Sequence, residues 1–532
     1  MEPTNSSKLL GDFPRDTYWL TRWVLLRWMG FVYVVAFYCA ARQLVPLVGE
    51  HGLTPARIFF PAVLDYFGTH DALAANHPAS FWGGFWQMPS IFWFDYSDTM
   101  LRAVPWIGVI ISLFVLAGYA NAIMMTILWI FYLSIVVVGQ DWYGYGWEIQ
   151  MSETGFLCIF LCPLLDGRPF PRRAPPWQVI FLFRWLIFRI MLGSALIKLR
   201  GDSCWSDLTA LYYHFETQPI PNPFSRSFHL LPHALLQFGV IWTFVVELVA
   251  PFFIFWPRWG RYIAATIIIS FQCTLIVSGN LSFFNWLTIL PAWACFDDRF
   301  WRATMPGYLK SNAMEARLAA KPSMAMTVTG WCVFVLVCAL SIFPVLNLFD
   351  LHFDRNWVLV EGQAMNTSYD PFHLVNSYGA FGTVGRERPV IIFEGSNSDD
   401  PDSATDWKEY PYVGSPWDPK RSPPQIAPYQ PHLDWQLWFA AMASPENYPW
   451  TYNLVWKLLH NDPDSLSLFA GNPFPSKPPK YVRAVLYIYH FAKPGNPDHV
   501  YWTRDRQGLW LPAYSVDSQP LLEVLRLEHW AD

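Results

Sequence analysis

The sequence predicts an α-helical polytopic membrane bundle followed by a mostly β, α+β soluble domain on the outer or lumenal side. Three observations carry this expectation. Of 532 residues, 53% are hydrophobic, 18% aromatic and only 14% charged, the composition of a membrane protein with a water-facing part attached. Apolar runs of membrane length recur up to residue 349, after which the composition changes sharply. Lysine and arginine concentrate in alternate connecting segments, as the positive-inside rule requires.

Taken in order, residues 1–19 form a polar, cytoplasmic N-terminal tail. Apolar runs follow at 20–47, 98–117, 121–139, 147–165, 177–199, 232–256, 261–280, 282–297 and 325–349. Most approach the roughly 20 helical residues that a hydrocarbon core of about 30 Å demands, and together they predict about nine transmembrane helices in a bundle spanning 20–349. The run at 282–297 is short, and 147–165 contains Glu148 and Glu153. The first run is long and has no small-residue cleavage site, so it reads as a retained anchor.

With the N-terminus inside, the inner segments hold Lys8, Arg15, Arg168, Arg172, Arg173, Arg258, Arg261, Arg299, Arg302, Lys310, Arg317 and Lys321. The outer loops, 48–97 and 200–231, hold little beyond Arg57, Arg200 and Arg226. An odd number of passages then places 350–532 outside as a lumenal or periplasmic C-terminal domain. There, the runs VIIFEG and WKEYPYV precede a Pro/Asp/Ser-rich stretch, helical patterns near 433–443 and 454–459, and a strand at 482–491 with a hairpin partner at 500–504. Their alternation predicts a small, mostly β domain.

Of eight cysteines, only Cys204 reads as exposed and none lies beyond 350, which excludes a disulfide scaffold in that domain. A net charge of −5 shows no basic excess, so nucleic acid is not a partner. No G-x-S-x-G elbow, P-loop, Rossmann fingerprint or H-E-x-x-H occurs. His229 and His233 have an i, i+4 spacing, but Pro232 stands between them at a helix start, and no metal site is expected.

The candidate centre is the run 177–199, which carries Arg184, Arg189 and Lys198. Charges in a bilayer helix each cost roughly 2.5–3.5 kcal/mol on insertion scales, so three suggest a site or a structural network. Helix rise puts Arg184 and Glu247 both roughly 22 Å below the outer end, which predicts a buried pair. Arg189, roughly 15 Å down, and Glu153, roughly 9 Å down, make a second. Lys198 lies near the outer end. It either extends to the headgroups or faces a cavity beneath an outer cap containing Asp202, Trp205, Asp207, Thr209, His214 and Glu216, where it would act as a base or anion clamp. Aromatic residues Trp435, Trp438 and Phe439 are candidates for binding exposed apolar segments of a client, core packing being their more common use.

Several runs resemble the lipase maturation factor family: KLRGDSCWSDLT from Lys198, HFETQPIPNP from His214, VSGNLSFFNWLT from Val277, ACFDD from Ala294, NSYGAFGT from Asn376, RP from Arg388, FEGS from Phe393, APYQPHLDWQLWFAA from Ala427 and YHF from Tyr489. The resemblance implies a multi-pass membrane protein, resident in the endoplasmic reticulum of animals, that helps secreted lipases fold and assemble through its lumenal parts. The chain ends at EHWAD and lacks cysteine beyond 350, departures that fit a bacterial member in an inner membrane, with a client that need not be a lipase. A fainter pattern, Lys198, Gly201, Trp205 and the LTAL run from Leu208, is similar to vitamin K-dependent γ-carboxylases and their HTTM-type relatives. That likeness implies an alternative: a membrane enzyme using Lys198 as a base on a quinone or lipid. The expected partners are membrane lipids and secreted clients, with no obligate cofactor but room for a bound lipid or quinone.

Overall fold

In the computed structural model, residues 17–70, 81–353, 358–403 and 405–530 are described. The polar tail up to residue 16 lies outside them. The first helix, α1 (Trp19–Val48), has 30 residues and so is about 45 Å long. It is followed by α2 (Ala56–His70) and α3 (Phe81–Gln87), then by α4 (Asp98–Ala117), whose first turn is capped by the Ser97 hydroxyl accepting from the Met100 N–H. Helices α1 and α4 pack closely because Gly30 and Gly108 lie at their crossing. A Cβ on Gly30 would meet the Leu116 backbone, and one on Gly108 the Phe37 ring, the small-residue contact typical of membrane helices.

Next come α5 (Ala122–Val138), α6 (Gly146–Leu161) and α7 (Trp177–Arg200), followed by the short α8 (Ala210–Thr217) and α9 (Ser225–His229). Helix α10 (His233–Phe244) passes through a π-turn (Val245–Val249) into α11 (Ala250–Phe253). Then follow α12 (Arg258–Ser278), α13 (Phe284–Trp293), α14 (Asp298–Thr304) and α15 (Gly307–Leu318), and finally α16 (Met324–Leu340) and α17 (Ile342–Leu348), bent by 40° at their junction.

Hydrogen bonds sort the connections into two groups. At one end, the Asp298 carboxylate accepts from the Trp19 and Leu20 N–H groups, and Arg173 donates to the Lys321 and Pro322 carbonyls. At the other end, Gln140 donates to Thr54 O, Asn222 to Val277 O and Asn280 to Pro221 O. This second end also receives the C-terminal region and is called the capped end below.

Among the described residues, five helices are long and apolar enough to cross a membrane: α1, α4, α7, the continuous α10–α11 unit and α12. A sixth exists if the bent α16–α17 pair is one span. All nine apolar runs contain helix, but α5, α6 and α13 have only 17, 16 and 10 residues. Length and apolarity therefore support five or six spans rather than the expected nine. Helix α6 is enclosed by its neighbours, with Glu148, Gln150 and Glu153 each at most 1% exposed, so its composition is set by protein contacts more than by lipid.

Beyond α17, β1 (Leu351–Phe353) pairs with β2 (Leu359–Glu361). A four-stranded antiparallel sheet is built from β3 (Arg388–Ser396), β4 (Lys408–Glu409), β5 (Tyr481–Phe491) and β6 (Trp502–Tyr514), in the order β4–β3–β5–β6. Four helices accompany it: α18 (His432–Ala440), α19 (Trp450–Leu459), α20 (Pro463–Leu466) and α21 (Gln519–Leu527). The region is thus α+β with small sheets, not mostly β. The run WKEYPYV yields only the two-residue β4, consistent with Pro411 having no N–H for a ladder. The hairpin partner extends to Tyr514, well past the expected residue 504.

Residues 363–384, between β2 and β3, form neither helix nor strand over most of their length and run back into the bundle. Phe372 stacks on Trp129 with ring centroids 6.2 Å apart, and Trp129 lies nine residues before the end of α5, about 13 Å inside it. Irregular backbone this deep persists only where protein groups take up its N–H and C=O, which is what the next contacts do.

Buried ion pairs and a capped cavity

Arg189 and Glu153, 2% and 1% exposed, form an ion pair between α7 and α6. The inserted segment completes it. Arg189 donates to the Asn376 carbonyl at 2.6 Å, while Glu153 accepts from the Asn376 N–H at 3.1 Å, its side-chain amide at 3.2 Å and the Tyr378 hydroxyl at 2.6 Å. Gly193 makes room for this on α7, since a Cβ there would collide with the Tyr378 carbonyl. Asn376 and Tyr378 were not singled out from sequence as site residues, although the run NSYGAFGT carries the signal: small and polar residues grouped amid aromatics.

Glu247 does not pair with Arg184, contrary to the depth estimate. Its partner is Lys198, with Nζ 2.6 Å from Oε2. Arg184 instead donates to Ala294 O at 2.9 Å and to the Tyr18 hydroxyl at 3.0 Å, near the N-terminal end of the bundle. The reason is side-chain direction. Side chains tilt toward the N-terminus of their helix, so Lys198 on α7 reaches down into the bundle. Glu247, on a helix of opposite direction, reaches up toward the capped end. Counting residues from nominal helix ends misses both displacements.

Lys198 is 4% exposed and does not extend to a headgroup layer. Its ammonium also donates to Ser194 O at 3.4 Å and lies 5.4 Å from the centre of the Trp205 ring. It lines a largely apolar cavity of about 210 Å³ together with Trp205, His214, Glu247, Gln272 and Phe381. Trp205 is held by its indole N–H donating to Phe381 O at 2.9 Å, and His214 meets the Phe381 ring edge-on at 4.9 Å. Burial, and secondarily the Lys198 charge, push the His214 imidazole down to about 4, so it is neutral at physiological pH.

The remaining cap residues divide. Asp202 pairs with Arg386 at 2.8 Å, and this guanidinium holds its carboxyl well below the usual carboxylate range. Glu216 accepts the Phe491 N–H at 2.6 Å. Beside it, the fully buried Arg388 of β3 donates to Glu216 O at 3.0 Å, Pro219 O at 2.8 Å and Gln218 O. Arg388 is a docking residue to which the sequence reading assigned no role. Asp207 is exposed, and Thr209 contributes a backbone N–H to Cys204 O. Cys204 is buried rather than exposed, whereas Cys273, Cys332 and Cys338 are exposed. His233 stacks on Tyr212, while His229 lies 4.0 Å from Glu216.

Trp435, Trp438 and Phe439 do not form an open client-binding surface. Trp435 is 4% exposed and packs edge-on against Trp147 at 5.0 Å. The Trp438 indole N–H donates to Thr217 O at 2.9 Å, and Phe439 stacks on Tyr145 at 6.2 Å. The apolar face of α18 is packed against residues of the bundle and its loops, so these aromatics dock the two regions together.

The description "Lipase maturation factor transmembrane domain" matches residues 20–303, and "Lipase maturation factor C-terminal domain" matches residues 374–512. The chain belongs to the lipase maturation factor family. It is 43% identical to lipase maturation factor 1 of Bos taurus, over 94% of this chain and 90% of that protein. It is 41% identical to lipase maturation factor 1 of Homo sapiens, over 94% of this chain and 89% of that protein. Lipase maturation factor 2 of Xenopus laevis is 28% identical over 96% of this chain and 84% of that protein. No solved structure matches the chain. In this member of the family, residues 374–384 of the inserted segment open the C-terminal match and reach into the part matched at 20–303. The comparisons lend no support to the γ-carboxylase-like enzyme alternative.

Proposed function

We propose that this chain is a membrane-anchored maturation factor that helps secreted lipases fold and assemble, with the C-terminal region as the part that meets the client. The observation that carries this reading is the collinear likeness to proteins named lipase maturation factor across 94% of the chain. Because α18 is consumed in docking, the client-facing surface is the solvent-exposed side of the C-terminal region.

The topology proposed is nine passages, in which α5, α6 and α13 cross within the bundle. Their flanking loops alternate between the two ends as nine crossings would require, and the buried polar residues of α6 are shielded by protein. The domain scheme is a bundle over 20–349 and an outer domain from 350. The cationic loop residues lie at the end where α1 begins, which supports a cytoplasmic N-terminus and a lumenal or periplasmic C-terminal region. The membrane is the endoplasmic reticulum in a eukaryotic host and the inner membrane in a bacterial one.

The test is secreted-lipase specific activity in the native host after deletion of the gene, with the full chain restored. Activity per unit of lipase protein is expected to fall on deletion and return on complementation. Specific activity that ignores deletion would overturn lipase maturation for this chain.

A further inference from the structure

The cavity beside Lys198 has a side entrance. Helix α12 packs against the π-turn that carries Glu247 but scarcely touches α10 above it, so the two helices diverge toward the capped end. The cavity residues with exposed surface lie along that gap: Leu235 and Trp242 on α10, and Thr274 on α12. The flanking outward surface is apolar, with Phe238, Ile241 and Val277 exposed by 60%, 46% and 48%. Toward the C-terminal region the cavity is closed by Trp205, His214 and Phe381. The entrance therefore faces the surface that a bilayer covers, not water.

Apart from the hydroxyls of Thr243, Thr274, Ser278 and Thr288, which donate to carbonyls of their own helices, the polar groups inside are few. Lys198 and Glu247 neutralise each other, and the ammonium uses two of its three donors on Glu247 and Ser194 O. Among the described residues, the Gln272 amide N–H group meets the Met191 sulfur at 4.0 Å. The neutral His214 ring carries one N–H. A site with no net charge and spare donors suits an uncharged acceptor. A peptide would bring a row of backbone N–H and C=O groups that so few partners could not satisfy.

We propose that this cavity binds one acyl chain of a membrane glycerolipid, admitted between α10 and α12, with its ester carbonyl set against Lys198 and Gln272. The π-turn is integral to the site: the widened turn spreads α10 from α12 and presents Glu247, in keeping with the recurrence of such turns at functional positions. The assignment stands independently of the client.

The experiment places the purified full chain in nanodiscs of phosphatidylcholine that carries a diazirine in one acyl chain, followed by irradiation and peptide mapping. Adducts are expected to concentrate on peptides containing Met191, Leu235 and Leu275, above those on Phe252 and Ile263, which are exposed elsewhere on the bundle. Leu235→Trp at the exposed rim and Ser194→Phe inside should abolish the cavity adducts while leaving Phe252 labelling intact. Gln272→Leu should weaken retention of the labelled lipid about fivefold, the loss of one neutral hydrogen bond. Labelling no higher in the cavity than at Phe252 and Ile263, or unaffected by Leu235→Trp in protein of unchanged melting temperature, overturns the proposal. So does recovery of a stoichiometric quinone from the purified chain. Retention indifferent to Gln272→Leu overturns the ester contact.

Discussion

Arg189 and Glu153 are charged groups enclosed by protein, and their value to stability depends on both being present. Removing one partner of a buried pair leaves an uncompensated charge and costs about 3–5 kcal/mol, while replacing both is far milder. Arg189→Met and Glu153→Gln are each expected to lower the detergent-solubilised melting temperature sharply, with the double variant recovering much of the loss. Additive effects in that cycle would show that the pair is not coupled. Two buried histidines outside the spans set a pH response. Burial pushes His214 down to about 4 and His432 to about 3, both from an unfolded value near 6.5. The unfolded chain then binds more protons, so stability is lost as pH falls from about 6.5 toward 4, by about 3 kcal/mol for His214 alone. Asp434, which burial raises to about 6, and Asp370 and Glu409, which burial also raises, act in the opposite sense, so the His214 contribution is read as the difference between the full chain and His214→Phe. Thermal melts between pH 7 and 4.5 should show the decline, and His214→Phe should flatten it.

At the scale of elements, helix α7 joins everything: it carries Arg189, Lys198 and the glycine against which the inserted segment rests. Gly193→Leu is expected to expel residues 363–384 from the bundle, detected as new protease cleavage in that segment. Unaltered cleavage would mean that the segment is held by other contacts. Trp435→Ala, which empties the α18 contact with Trp147, is expected to cost about 3–5 kcal/mol and to lower protein abundance before it affects any client. How much of this was legible differs element by element. The partnership of Arg189 with Glu153 follows from helix rise, because the two depth estimates differ by less than an arginine's reach. Glu247 could not be assigned in that way, since its partner was fixed by opposed side-chain directions and a π-turn that periodicity does not register. Strand β3 announced itself as an apolar run. The insertion of residues 363–384 was hidden because its hydrogen bonds are to groups far away in sequence.

Taken as a whole, the molecule does not consist of an anchor and a detachable head. Gln43 on α1 donates to Gln430 O at 2.7 Å and accepts the His432 N–H at 2.9 Å, Arg388 fills the carbonyls of Glu216, Gln218 and Pro219, and Asn376 occupies the bundle interior. A chain truncated after Phe349 would leave Glu153, Arg189 and a broad aromatic surface uncovered. It is expected to be degraded or aggregated, with no monodisperse peak in detergent chromatography, so loss of lipase maturation on truncation would not by itself locate the client site. Exposed substitutions on the C-terminal region that preserve the melting temperature are the informative ones.

The placement of Asn376 between Arg189 and Glu153 also bears on how the protein is made. Synthesis runs from the N-terminus, so the helices enter the membrane while residues 363–384 are still untranslated. Until the ribosome delivers them, the interior of the bundle holds an ion pair whose remaining hydrogen-bonding capacity has no partner, and the capped end lacks its roof. The nascent protein therefore passes through a stage in which an assembled-looking bundle is unfinished and vulnerable to quality control. A pulse-chase of chains stalled before and after residue 384 should show stabilisation appearing only once that segment has emerged.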